Sequence, residues 1–291
     1  MAEFLQILAA GITVGAIYAL IALGFSVIYN TSGVINFAQG EFVMLGGMAA
    51  VVLSQNAHPP LVIAIPLAVA IAVLAGLLVE RLAIEPARQS SLTTLIIITI
   101  GVSISIRGFV EVVLGKAFHR LPAFSGDAPI DIGGAEVAPQ AFWVLGSLVV
   151  VMLALAWFFN GTRTGKAMRA IPQNRLAAEL MGIDVKAMLR LSFALSALLG
   201  ALAGVLTAPL TLTKYDVGVM LGLKGFAAAI IGGLGTASGA VLGGLLLGIT
   251  EALAAGYVSS AYKDAVAFIM ILAMLLLAPG GVFGWRRVQR V

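Results

Sequence analysis

Long apolar blocks broken by short polar ones dominate this chain. The first block runs from about Phe4 to Tyr29 and gives way to a polar insert, NTSGVINFAQGE, before apolar sequence resumes at Phe42. A second block, about Phe42 to Leu53, is too short to cross a hydrocarbon core of about 30 Å unaided. The pair therefore predicts a broken or re-entrant helix around residues 30–41, since non-helical backbone survives at membrane depth only where protein or a watery cavity shields it. Further blocks follow at about Leu61–Val79, Leu92–Leu114, Phe142–Phe159, Leu191–Leu210, Val217–Ile231, Ala240–Ala255 and Ala265–Leu277. Between the fourth and fifth lies a longer loop, 115–140, with Pro122, Pro129, Pro139 and mixed charges. The pattern predicts an all-α, polytopic transmembrane bundle of eight to nine spans in one domain covering 1–291. Eight applies if the insert after Tyr29 or the glycine-rich region near Gly233 dips in and returns.

Composition agrees. Of 291 residues 61% are apolar and 10% charged, where a soluble domain carries about 25% charged residues. The mean hydropathy is +1.09. The formal charge of +4 is no nucleic-acid footprint, because the basic residues cluster between apolar spans. There is no cysteine, which removes disulfides and thiolate ligands. The opening MAEFLQILAAGITVG has an acid and no Lys or Arg, unlike a cleaved signal peptide.

Charge also orients the spans. If 80–90, 161–190 and the tail share a side, that side collects Arg81, Arg88, Arg163, Lys166, Arg169, Arg175, Lys186, Arg190, Arg286, Arg287 and Arg290, eleven of the 17 basic residues. The positive-inside rule makes that side cytoplasmic, places loop 115–140 outside, and with nine crossings leaves the C-terminus inside. Within 161–190, Asn174 is placed to cap the run RLAAELM and Gly182 to close it in the left-handed conformation. A helix this short is not stable alone. Its apolar residues Leu176, Ala177, Leu180 and Met181, with Ile183 just beyond and Arg175 and Glu179 as an i,i+4 pair, read as a docking face for a partner rather than a loop resting on lipid headgroups.

Glycine, 34 residues, is the other strong feature. GxxxG spacing occurs at Gly11/Gly15, Gly200/Gly204, Gly218/Gly222, Gly235/Gly239, Gly239/Gly243 and Gly244/Gly248, predicting close helix packing inside the bundle or between subunits. A faint echo between GEFVMLGG and GFAAAIIGG hints at an internal repeat.

Enzyme motifs fail. GTRTGK has three residues between its glycines where a phosphate loop needs four, and Ala167 where Ser or Thr would hold magnesium. With only His58 and His119, a histidine metal or nucleophile site is not expected. Polar residues at membrane depth are better candidates. Asn36, Gln39 and Glu41 suit a translocation path, with satisfaction of backbone freed by the break as their alternative role. Arg107 and Glu111 read as an i,i+4 interfacial ion pair. For Glu251, a bond to a neighbouring helix and a pore lining both fit. No Asp/Glu/His chain threads the spans, which argues against a proton-coupled carrier.

The pieces GAIYALIALGFSVIYNTSGVINFAQGEFVMLGG, RAIPQNRLAAELMGIDV and APGGVFGWRRVQRV resemble permease subunits of ABC importers for branched-chain amino acids, the LivH branch. The resemblance implies a subunit of the bacterial inner membrane that pairs with a second permease and two cytoplasmic ATPases, and receives Leu, Ile or Val from a periplasmic binding protein. It implies that ATP and magnesium sit on the partners, with no cofactor or metal on this chain, and that membrane lipid, but no nucleic acid, is a further partner. It also implies a coupling helix carried by Asn174, Arg175, Leu176, Ala177, Ala178, Glu179, Leu180, Met181, Gly182, Ile183 and Asp184. The wider importer signature begins Glu-Ala-Ala; here Leu176 replaces the acid. A related importer for another small solute, such as urea, is the alternative.

Overall fold

The structure is a computed structural model that describes residues 2–56, 60–278 and 280–282. His58 and the basic tail with Arg286, Arg287 and Arg290 lie outside the described residues. The architecture is the expected helical bundle, and it is organised around its first helix. α1 spans Ala2–Ser32, with no charged residue between Glu3 and Glu41 to stop it, and is buried almost continuously from Gly11 to Ile28. At about 1.5 Å per residue it is near 46 Å long, more than a hydrocarbon core. Gly33 ends it at φ +71°, in the left-handed region that glycine tolerates.

A non-helical stretch, 33–38, closed by a turn in which the Gln39 N–H donates to the Asn36 carbonyl, leads to α2 (Gln39–Asn56). α3 (Leu61–Val79) ends in a π-helical turn, Glu80–Ile84. α4 (Leu92–Leu114) is capped by Ser91, whose hydroxyl accepts from the Thr94 N–H, and ends at Gly115. The 115–140 loop holds the one departure from all-helix expectation among the described residues, a two-stranded hairpin. Its strands, β1 (Ile130–Ile132) and β2 (Ala135–Val137), pair Ile130 with Val137 and Ile132 with Ala135. Gly133 and Gly134, at φ +63° and +87°, supply the two-residue turn. α5 (Pro139–Gly161) starts on a proline, whose missing N–H costs nothing there.

The basic stretch holds two helices rather than one. α6 (Arg163–Ala170) is capped by Thr162, and α7 (Arg175–Leu180) by Asn174. α8 (Val185–Thr207) is capped by Asp184, so the sixth span begins a turn and a half before the expected Leu191. α9 (Val217–Gly232), α10 (Ala237–Tyr257) and α11 (Lys263–Leu277) complete the bundle. Among the described residues, seven helices are long and apolar enough to cross a membrane; α2 and α9 are not, α9 having 16 residues.

α10, α8 and α9 surround α1, while α3, α4, α5 and α11 present Leu, Ile, Val and Phe outward, as lipid-facing helices do. All the GxxxG faces pack inside the chain. Gly11 and Gly15 meet the α10 backbone at Ile249 and Gly244, Gly204 meets Val43 and Gly47, and Gly243 meets Ala228 and Gly232. The N-terminal end of α1 contacts β2 at one end of the bundle and α6 packs near the other. We call these the hairpin side and the α7 side.

The expected break after Tyr29 is present, and it has a partner that sequence reading missed. Gln39, where α2 starts, lies beside Gly24 and Ser196, at the middle of α1 and α8. From there α2 runs toward the hairpin side, with Gly46 against Ala201 and Gly47 against Gly204. The second non-helical stretch, 208–216, is tied by reciprocal 2.8 Å backbone bonds between His119 and Thr213 and leads to α9. α9 starts beside α2 and runs the opposite way, reaching the α7 side at a tight turn where Asn30 donates to the Gly235 carbonyl. Gly40 and Gly218, each the second residue of its helix, touch backbone to backbone at the crossing. The glycine-rich region near Gly233 is thus a turn, and the structural counterpart of Gly40 is Gly218 rather than the Gly225 suggested by the sequence echo.

Candidate functional site

The break between α1 and α2 brings polar groups to mid-bundle because backbone freed from helix must be satisfied there. Asn36 is buried; its Oδ1 accepts from the Ala38 N–H at 3.1 Å, and its Nδ2 has no partner. Gln39 is wholly enclosed. Its Nε2 donates to the Ser196 carbonyl at 3.1 Å, its Oε1 accepts from the Ser196 hydroxyl, and that hydroxyl also reaches the Gly24 carbonyl at 2.9 Å. The amide therefore staples α2 to α1 and α8. Glu41 is 1% exposed; Oε1 accepts from the Ser103 hydroxyl of α4 at 2.8 Å and Oε2 has no partner.

Beside Glu41 lies a cavity of about 240 Å³. Ser103 and Arg107 of α4 share its polar wall with Glu41, and Phe25, Phe37, Phe226, Ile100 and Ile104 supply apolar surface. The start of α9, at Gly218 and Gly222, closes another side, where glycine lets α2 and α9 approach. Of the four path candidates, Glu41 lines this space. The expected Arg107–Glu111 ion pair is not formed: Glu111 pairs at 2.9 Å with Lys116, just past the end of α4, and Arg107 lines the cavity.

Glu251 sits apart from that space, in a second polar cluster. Its carboxylate accepts from the Tyr18 hydroxyl at 2.9 Å and the Lys224 ammonium at 2.7 Å, and Lys224 also meets Asp264 at 2.7 Å. Lys224 lies 5.6 Å from the Tyr18 ring centroid as well. The cluster joins α1, α9, α10 and α11, and Lys224 and Glu251 are both buried. A sequence scan that counts Lys224 only as a charge misses it; an intramembrane lysine is itself the available signal.

On the α7 side, Asn174 Oδ1 accepts from the Ala177 N–H at 3.0 Å and Gly182 takes φ +81°, as the capping pattern predicts. Ala178 packs on Ile171, Val185 and Leu189 and anchors the helix. Arg175 and Glu179 pair at 3.3 Å. Leu176, Leu180 and Met181 stand 68%, 80% and 83% exposed, pointing away from the bundle. Beneath them Arg190 of α8 lies 3.6 Å from Glu80 and 3.3 Å from Glu85, linking the root of α8 to the π-helical turn of α3.

A family profile described as "Branched-chain amino acid transport system / permease component" matches residues 7–275. The high-affinity branched-chain amino acid transport system permease protein LivH of Escherichia coli K12 is 36% identical, over 99% of this chain and 98% of the relative. The BraD permease protein of the corresponding high-affinity system in Pseudomonas aeruginosa is 32% identical at the same coverage. The ribose import permease protein RbsC of Escherichia coli K12 is 27% identical, over 90% of this chain and 82% of the relative. Among solved structures, a chain of PsaBC from Streptococcus pneumoniae, in complex with Fab, superposes with a TM-score of 0.51 at 15% identity, covering 97% of this chain and 94% of that one. At that identity the likeness is one of fold.

Proposed function

The chain belongs to the branched-chain amino acid transport permease family, and from that premise we propose that it is the membrane subunit of an ATP-driven importer for aliphatic amino acids. The observation that carries the reading beyond family membership is α7. It is a two-turn helix too short to persist alone, fixed by caps at both ends and by Ala178, with its three large apolar side chains directed off the bundle. Such a face suits the groove of a partner. One of two cytoplasmic ATPases fits that role, gripping residues 174–184, and Arg190 with Glu80 and Glu85 would carry its movement from α8 to α3. The α7 side is then cytoplasmic, with the C-terminus on it, in a bacterial inner membrane, and the hairpin side receives solute from a periplasmic binding protein. A second permease subunit covers the far side of the path. ATP and magnesium belong to the ATPases.

The cavity wall favours amino acids over sugars: its surface is mainly Phe, Ile and Leu, and a sugar would leave hydroxyls unmatched there. The deciding experiment is reconstitution in proteoliposomes with candidate ATPases, second permease and binding protein, using labelled leucine, isoleucine, valine, urea and ribose. ATP-dependent accumulation of the aliphatic amino acids is expected. Accumulation by this chain alone under a pH gradient would make it a carrier and overturn the reading.

A further inference from the structure

Glu41 is held in a state the fold does not complete. It is buried in the first turn of α2, yet Ser103 satisfies only Oε1 and leaves Oε2 without a partner. An unpaired carboxylate at membrane depth is strongly disfavoured unless it takes up a proton or a cation reaches it. Arg107 lines the same cavity and makes no salt bridge among the described residues. The first turn of α9 opens there too, at Gly218 and Gly222, with Asp216, paired to Lys214 at 2.9 Å, at its N-cap. A small space thus holds one negative and one positive pole, with the rings of Phe25, Phe37 and Phe226 beside them.

We propose that this cavity binds the zwitterion of an aliphatic amino acid, with Glu41 Oε2 accepting from the α-ammonium and Arg107 donating to the α-carboxylate. The side chain lies against the aromatic rings. The volume of about 240 Å³ is below the roughly 300–1,000 Å³ of drug-sized sites and suits a solute of this size. The two poles also select: an amine alone meets Arg107, an acid alone meets Glu41, and each is repelled. The assignment rests on the importer reading and adds the residues that recognise the solute.

Photo-leucine, a diazirine-bearing leucine analogue, tests it in the assembled complex by mass-spectrometric mapping of the attachment sites. The expected labels fall on Ile100, Ile104 and Phe226. They should drop by at least about tenfold in Glu41→Gln and in Arg107→Gln, because hydrogen bonds to charged groups are lost. Size-exclusion profiles and ATPase co-purification matching wild type exclude misfolding as the cause. Should either substitution prevent assembly, Ser103→Ala, which removes one bond to Glu41, is expected to weaken labelling at the same three residues. Labels elsewhere, or labels that ignore the substitutions while the wild-type complex imports leucine, overturn the proposal and leave the importer reading standing. No import of any aliphatic amino acid by the wild-type complex removes the importer reading, and this site assignment with it.

Discussion

At Lys224 one ammonium serves two carboxylates from the next two helices, and a phenol from α1 completes the set. Removing a single member of such a buried pair leaves its partner charged and unmatched, which costs about 3 kcal/mol or more. Lys224→Met should therefore lower the thermal midpoint of the detergent-solubilised protein sharply, and Lys224→Met with Glu251→Met should recover much of the loss. Gln39 behaves differently from Glu41, although both stand in the same insert. Gln39→Ala removes bonds to Ser196 and should cost about 1–2 kcal/mol of stability, measured by thermal unfolding, while leaving solute selectivity in uptake assays unchanged. The sequence flags Asn36, Gln39 and Glu41 together because all three are polar where apolar residues are expected. It cannot rank them, since what separates them is contact with Ser196 and Ser103, 157 and 62 residues away. Lys224 escapes notice for the same reason: its partner Glu251 is 27 residues away.

At the scale of elements, local chemistry decides what can be read. α7 is legible because its determinants are adjacent: Asn174 caps one end, Gly182 closes the other, and Arg175 faces Glu179. The break at 30–41 is legible because polar residues interrupt an apolar run. Its counterpart at 208–216 is not, because Thr211, Lys214 and Asp216 read equally well as an ordinary loop between two spans. Only the approach of Gly218 to Gly40 shows that α9 starts at mid-bundle. A side chain at that crossing has nowhere to go, so Gly218→Val should destabilise by about 1–3 kcal/mol from overpacking alone. A thermal-shift series of Gly218→Ala and Gly218→Val should show the loss growing with volume; equal stability of the three proteins would mean that the two helices can part at no cost.

For the whole molecule, α2 and α9, which both start inside the bundle, meet at the level where the cavity lies, and α7 stands at the end toward which α9 runs. The ion pairs of Arg190 join α8, which follows α7, to the end of α3. Motion imposed at α7 thus has a packed route into the bundle, and a permease of this kind needs only two arrangements of similar energy, biased from outside. The lengths of the apolar runs and the polar breaks between them were enough to read the bundle. Glycine spacing could not show that the glycine faces are all internal, since the same spacing serves contacts between chains. The central claim is that α7 is the grip of an ATPase. Its most direct test is ATP-dependent leucine uptake by proteoliposomes carrying the full complex, comparing wild type with Leu176→Ser/Leu180→Ser/Met181→Ser. These side chains are exposed in the isolated chain, so the substitutions should leave the permease folded and monodisperse while abolishing uptake and ATPase co-purification. Undiminished uptake by the triple variant would contradict the account.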